Sequence, residues 1–105
     1  MTDTGTYIFR TKIWLWQSDK KETAAPWHFV TLPKKIRNDI EDLYKGTSSN
    51  LGLYRVHVTV GNTTWDTSLF PSKELGLILP LKATVRKAED LHEGKSVSIK
   101  IEIAM

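Results

Sequence analysis

The sequence YRVHVTVGNTTWDTSLF, residues 54–70, decides the fold. On both sides of Gly61-Asn62 the residues alternate between apolar and polar, which is the pattern of a strand that buries one face. Two residues between two alternating runs are typical of a tight β-hairpin. We therefore predict two antiparallel strands in which the paired residues are Val60 and Thr63, Val58 and Trp65, Val56 and Thr67, and Tyr54 and Leu69.

Working outward from this hairpin, alternation and helical spacing predict the other elements. Before it we expect a strand over residues 7–16, a loop over 17–26, a strand over 27–32, a helix from Pro33 to Tyr44 and a polar loop over 47–51. After it we expect a short strand over 76–79, a short helix between Ala83 and Leu91 and a strand over 97–103. Gly46 is predicted to end the first helix in a left-handed conformation, and Pro71 is predicted to end the second hairpin strand.

The size of several strand side chains predicts that they face the interior. The residues predicted to point inward are Trp65, Thr67, Leu69, Trp27 and Phe29, where large groups would fill a small barrel. For Trp14 and Trp16 two interpretations stay open: a core position, covered by the loop over residues 17–26, or an exposed patch beside Arg10 and Lys12.

An internal repeat divides the chain. Leu32-Pro33 is followed by Glu41-Asp42-Leu43 and Gly46, and Leu79-Pro80 is followed by Glu89-Asp90-Leu91 and Gly94. Each half therefore reads strand, Leu-Pro, short helix, glycine, strand, and neither half could bury its apolar face alone. We predict one mostly β domain over residues 1–105. It would be a small closed or double-split β-barrel with two short helices and two pseudo-symmetric halves, about 1–60 and 61–105.

Composition excludes several classes of protein. The chain has 105 residues, too few for a (β/α)₈ barrel of about 250. It has no cysteine, so disulfides, thiolate zinc sites and cysteine nucleophiles are impossible. Without a signal-peptide pattern or an apolar run of roughly 20 residues, we expect a cytoplasmic protein with no membrane association. The net charge of +3 permits anionic partners without demanding them.

Two longer motifs carry a family resemblance: W-x-T-S-L-F-P at residues 65–71 and L-P-x-K-A-x-V-R-K-A at residues 79–88. With WHFVTLP at 27–33, VTVG at 58–61, Gly94 and Val97, the sequence resembles a small bacterial family catalogued as a domain of unknown function (number nineteen-oh-five). Each half is also similar to the swapped-hairpin antitoxin and transition-state-regulator family, which builds a double-split barrel from two short chains. The resemblance implies a small β-barrel and no known reaction. The residues that would be structural are Trp27, Pro33, Trp65, Thr67, Ser68, Pro71, Pro80 and Gly94.

The side chains needed for hydrolysis occur together in the hairpin. The predicted register places His57 across from Asp66, with Ser68 diagonal to His57 on the same face. A serine nucleophile is normally presented at a strained turn near oxyanion donors, whereas Ser68 lies in mid-strand beside Arg55. We therefore expect an exposed cross-strand pair and no enzyme, with a small-ligand or hydrolytic role at Ser68 as a remote alternative.

We expect no metal and no cofactor. The three histidines, His28, His57 and His92, fall on separate elements without the spacing of metal ligands.

Basic residues follow both Leu-Pro motifs. The candidate anion- or nucleic-acid-binding residues are Lys34, Lys35, Arg37, Lys82, Arg86 and Lys87. The first functional hypothesis is a non-enzymatic binding or protein-interaction module with an unknown protein partner, a monomer or weak homodimer. The alternative is weak DNA binding through these two clusters, if they meet on one surface. In a third interpretation the charges only keep the helix exteriors soluble.

Overall fold

A curled, seven-stranded antiparallel sheet with two helices forms the described part of the chain, residues 5–16, 27–44, 46 and 52–104 of a computed structural model. The helices are α1 (Lys34–Tyr44) and α2 (Ala83–Glu89). The strands are β1 (Thr6–Lys12), β2 (Trp14–Trp16), β3 (Trp27–Thr31), β4 (Tyr54–Val60), β5 (Thr63–Ser72), β6 (Gly76–Pro80) and β7 (Ser96–Ile103). Their order in the sheet is β1-β7-β4-β5-β6-β3-β2.

The mostly β fold with two helices is confirmed, while closure into a barrel and division into two halves stay predictions. The loops predicted over residues 17–26 and 47–51, and with the first of them any cover for Trp14 and Trp16, lie outside the described residues. Within the described residues, no helix is long and apolar enough to cross a membrane.

The central hairpin has the predicted register at every position. β4 and β5 pair Val60 with Thr63, Val58 with Trp65 and Tyr54 with Leu69. The apolar side chains on the inner face of this hairpin are buried, namely Tyr54, Val56, Val58, Val60, Trp65 and Leu69. Helix α2 fixes the turn, because the Glu89 carboxylate accepts hydrogen bonds from the backbone N–H of Asn62 at 3.2 Å and from the Thr63 hydroxyl at 2.6 Å.

The strand predicted over residues 7–16 is divided at Ile13. β1 pairs with β7, and β2 pairs with β3 at the other end of the strand order. At Ile13 the backbone N–H donates to the Lys95 carbonyl at 3.1 Å, and the carbonyl accepts from the Gly94 N–H at 2.8 Å. The Ile13 side chain is 2 % exposed. The alternation of the sequence does not reveal this break, because Phe9 and Ile13 are both buried and the pattern continues through the bend.

The prediction that Trp27 and Phe29 point inward is wrong. Val30 in β3 is fully buried opposite Leu79 of β6, so period-two alternation turns Trp27 and Phe29 to the outer face. Trp27 is 57 % exposed and Phe29 is half-buried. Of the other residues predicted inside, Trp65 and Leu69 are buried and Thr67 is half-buried.

Two predicted ends are also wrong. Gly46 does not adopt a left-handed φ and lies in a 3₁₀ turn beyond α1, whereas Asp90, with φ 55°, provides the left-handed end of α2. Pro71 does not end β5, which continues to Ser72. At this end β5 pairs with β6 alone, so a residue without an N–H can stay in the strand by facing the open side.

The bend at Ile13 predicts a contrast between two isoleucines of the same segment. Replacing Ile13 by Ala should lower the free energy of unfolding by about 2–5 kcal/mol, because a fully buried side chain leaves a cavity. Ile8 is 71 % exposed on β1, and Ile8→Ala should change the stability by no more than about 0.5 kcal/mol. Urea unfolding measures both, and equal losses would contradict the structural role of Ile13.

Tyr7 predicts a pH dependence at the contact between β1 and α1. Its hydroxyl donates to Asp39 Oδ2 at 2.6 Å, and burial together with this hydrogen bond raises the pKa of Tyr7. The folded state therefore holds the phenolic proton more tightly than the unfolded chain. This contribution is complete below the unfolded pKa of about 10 and is lost as the pH rises above it. In urea unfolding at increasing pH, Tyr7→Phe should lose less stability than the wild type above this pH. Parallel curves would contradict the assignment.

Candidate binding face

Aromatic side chains cover the outer face of β2 and β3. Register places Trp14 opposite Phe29 and Trp16 opposite Trp27. The ring centroids of Trp14 and Phe29 lie 5.1 Å apart, and those of Trp27 and Phe29 lie 6.1 Å apart with planes only 12° from parallel. Trp14 Nε1 donates to Thr31 Oγ1 at 2.9 Å, which fixes the orientation of its ring. We call the side chains of Trp14, Trp16, Trp27 and Phe29 the aromatic face.

The aromatic face forms one wall of a groove of about 650 Å³, the central groove. The opposite wall comes from β6 and the turn between β5 and β6. The residues that line the central groove are Trp14, Trp16, Trp27, Phe29, Pro71, Ser72, Glu74, Leu75 and Ile78. Its walls are mostly apolar, and Glu74 is the charged residue among them.

A second groove, of about 410 Å³, begins where the central groove ends and shares Glu74 and Leu75 with it. We call it the α1 groove because the first turn of α1 lines it. The basic side chains on its walls are those of Lys34, Arg37 and Lys73. Arg37 lies against Gly76, whose φ is +92° and which leaves room for the arginine side chain by lacking a Cβ.

A third groove, of about 260 Å³, adjoins the central groove at Trp27 and is lined by the beginning of α2. We call it the α2 groove. Lys82 and Arg86 line it together with His28, Asp66 and other residues of β5. Arg86 Nε donates to the Leu81 carbonyl at 3.0 Å, and Arg86 Nη1 lies 3.5 Å from His28 Nε2. The guanidinium is therefore held in place at the groove wall.

The two predicted basic clusters do not meet at a point but lie at the two ends of the central groove. Antiparallel pairing of β3 and β6 is the cause, because Thr31 pairs with Ile78 and each lies two residues before its Leu-Pro proline. Pro80 is opposite Phe29, so Pro33 lies four residues further along, about 13 Å at about 3.3 Å per residue. Lys35 and Lys87 are exposed on their helices and line none of the three grooves.

Two of the three residues considered for hydrolysis, His57 and Asp66, form the predicted cross-strand pair. His57 Nδ1 lies 2.5 Å from Asp66 Oδ1, with half of each side chain exposed, and Ser68 is opposite Arg55. Within the described ranges, no three histidine or carboxylate side chains come together as a metal site.

The family-motif residues are distributed between the grooves and the elements that carry them. Pro71 lines the central groove; Trp65, Thr67 and Pro80 line the α2 groove. Pro33 immediately precedes α1, and Gly94 donates its N–H to Ile13.

Sequence reasoning missed the aromatic wall formed by Trp27 and Phe29 and the contribution of Leu75. The signal for Trp27 and Phe29 was present, because Val30 and Leu32 alternate with them and are the residues of this run that the core needs. Leu75 lies in the turn between β5 and β6, and no local pattern predicts that it lines a groove together with the aromatic face.

A family model described as "Domain of unknown function (DUF1905)" matches residues 9–101. No curated protein matches the chain.

Gly76 predicts a measurable link between the turn and Arg37. An alanine here would be strained at φ +92° and would also displace Arg37, whereas an alanine at Gly94, with φ +85° and open space, would only be strained. Both variants should lose about 1–3 kcal/mol of unfolding free energy, with the larger loss for Gly76→Ala. Adding Arg37→Ala to Gly76→Ala should remove the excess in a double-mutant cycle measured by urea unfolding. An additive cycle would contradict the contact.

Proposed function

The chain belongs to the DUF1905 family, whose description assigns no activity, and we propose that it is a non-enzymatic module that binds nucleic acid along its three grooves. The observation that carries the proposal is the position of the aromatic central groove between two basic grooves. One ligand lying along this surface would contact cations at both ends and aromatic rings in the middle.

Charge supports an anionic ligand. Lys34, Arg37 and Lys73 line the α1 groove against one carboxylate, Glu74. In the α2 groove, Lys82 and Arg86 stand with Asp66, whose carboxylate is already bound by His57. Each end therefore carries an excess of positive charge, which favours phosphate or carboxylate groups.

Length supports an extended ligand over a small one. Because the two Leu-Pro motifs lie about 13 Å apart along β3, a single phosphate or carboxylate cannot reach both basic grooves. A polymer with repeated negative charges can. Nucleic acid combines such charges with planar apolar groups, and this combination matches the walls of the three grooves.

The other hypotheses explain less of this surface. An apolar protein segment would fill the central groove, since exposed tryptophans are frequent anchors of protein interfaces. Such a segment would not account for the basic side chains that line the α1 and α2 grooves. A hydrolytic role at Ser68 would use neither the aromatic face nor either basic cluster.

The predicted barrel and its two halves also belong to the proposal. β1 and β2 are joined through Ile13 and are the two edge strands of the sheet. A single bent strand that closes a barrel would have the same arrangement. β5 shows the same division, because its first part pairs with β4 and its last part pairs with β6. These parallels support a double-split barrel of two pseudo-symmetric halves, with one basic cluster in each half.

The proposal is tested by binding of labelled oligonucleotides of about 20 nucleotides, one single-stranded and one duplex, at about 50 mM salt. Lys34→Gln and Lys82→Gln should each weaken binding and reduce the slope of log K against log salt by about 0.7–0.9, one phosphate contact. Lys35→Gln and Lys87→Gln are matched controls, since each removes the same charge close to its test residue, on α1 and α2, but outside the grooves. They should leave the slope unchanged.

Two results would overturn the proposal. The first is the absence of binding to either oligonucleotide at micromolar protein. The second is an equal loss in all four lysine variants, which would indicate general charge attraction without a defined binding face.

A further inference from the structure

We propose that the bound form of nucleic acid is a single strand whose bases stack on Trp16 and Trp27, an inference that rests on the proposed function and specifies its ligand. The phosphates on either side of the stacked bases would then lie in the α1 and α2 grooves.

The exposure of the two outer tryptophans is the first argument. Trp16 is 52 % and Trp27 is 57 % exposed, and they are directly opposite each other on β2 and β3. Large aromatic surface in contact with water is unfavourable by about 25 cal/mol per Å² of apolar area. A ligand that covers both rings would recover this free energy.

The support beneath these rings is the second argument. Phe29 lies next to both Trp14 and Trp27, and its plane is nearly parallel to that of Trp27. Trp14 is in turn held by its hydrogen bond to Thr31. Trp14, Phe29 and Trp27 are therefore ordered by contacts within the protein, so little side-chain entropy is lost when a base stacks on Trp27.

The geometry of nucleic acids decides between single strand and duplex. In a duplex the faces of the bases are stacked on one another, and only their edges and the phosphates are accessible. An aromatic groove offers nothing to such edges. A single strand presents base faces and phosphates in alternation, and base stacking on aromatic side chains is worth roughly 5- to 150-fold in affinity per base.

The α2 groove adds a place for a phosphate next to the stacked base. It meets the central groove at Trp27, and Lys82 and Arg86 line the same groove as this ring. Because Arg86 is fixed by the Leu81 carbonyl, its guanidinium is presented without further ordering.

The experiment compares three probes at equal salt: an oligothymidine of about 20 nucleotides, an abasic strand with the same number of phosphates, and a duplex of equal length. The oligothymidine should bind at least roughly fivefold more tightly than either of the others. Trp27→Leu should weaken oligothymidine binding by roughly 5- to 150-fold without changing the salt slope, because it removes a stacking surface and no charge. Trp27→Phe keeps a ring and should restore most of the affinity.

The outcomes separate this inference from the proposed function. If all three probes bind equally and Trp27→Leu has no effect, the single-strand inference fails while nucleic-acid binding stands. If Trp27→Leu and Trp27→Phe weaken binding equally, stacking is excluded. If no probe binds at all, both proposals fail, and a protein partner becomes the better explanation of the aromatic face. Because Trp27 is more than half exposed, its variants are expected to fold, and urea unfolding verifies this.

Discussion

The two backbone hydrogen bonds of Ile13 are the constraint on which the rest of the structure depends. They attach the junction between β1 and β2 to the turn before β7, at Gly94 and Lys95. One continuous segment thereby forms both edge strands of the sheet: β1 pairs with β7 at one edge, and β2 pairs with β3 at the other. The sheet must curl to satisfy both pairings, since a flat sheet would hold these two ends apart. Burial of the Ile13 side chain then makes the junction part of the core.

The curl also determines what the outer surface presents. Strands β3 and β6 turn one face to the core through Val30, Leu77 and Leu79, and the outer face of β2 and β3 carries the aromatic side chains. Because β3 and β6 are antiparallel, the chain leaves them at opposite ends, where α1 and α2 begin. The basic residues at the helix beginnings therefore flank the aromatic face instead of gathering in one patch. A single pairing thus produces both the groove and the charge at its ends.

The candidate site could be predicted only in part. The basic residues after Pro33 and Pro80 were identified from the sequence, because charge and position after a proline are local properties. Their separation by the aromatic face was not, since it depends on the register of two strands that lie 47 residues apart between equivalent positions. The size of Trp27 and Phe29 predicts that they lie in the interior, yet the buried residues of this run are Val30 and Leu32. Packing against Leu79, a residue far along the chain, decides which side of the alternation is buried.

By itself the sequence determined the hairpin, its register, the two helices and the mostly β fold. These rest on alternation, helical spacing and a two-residue turn, and such signals act over a few residues. Only the tertiary structure decided where the first strand bends and which face of β3 is buried. It also decided that α2 ends in a left-handed residue, Asp90, while Gly46 after α1 does not adopt that conformation, and which residues the neighbouring grooves share. Each of these depends on contacts between distant segments, where the best packing of the whole sheet overrides the preference of any one stretch.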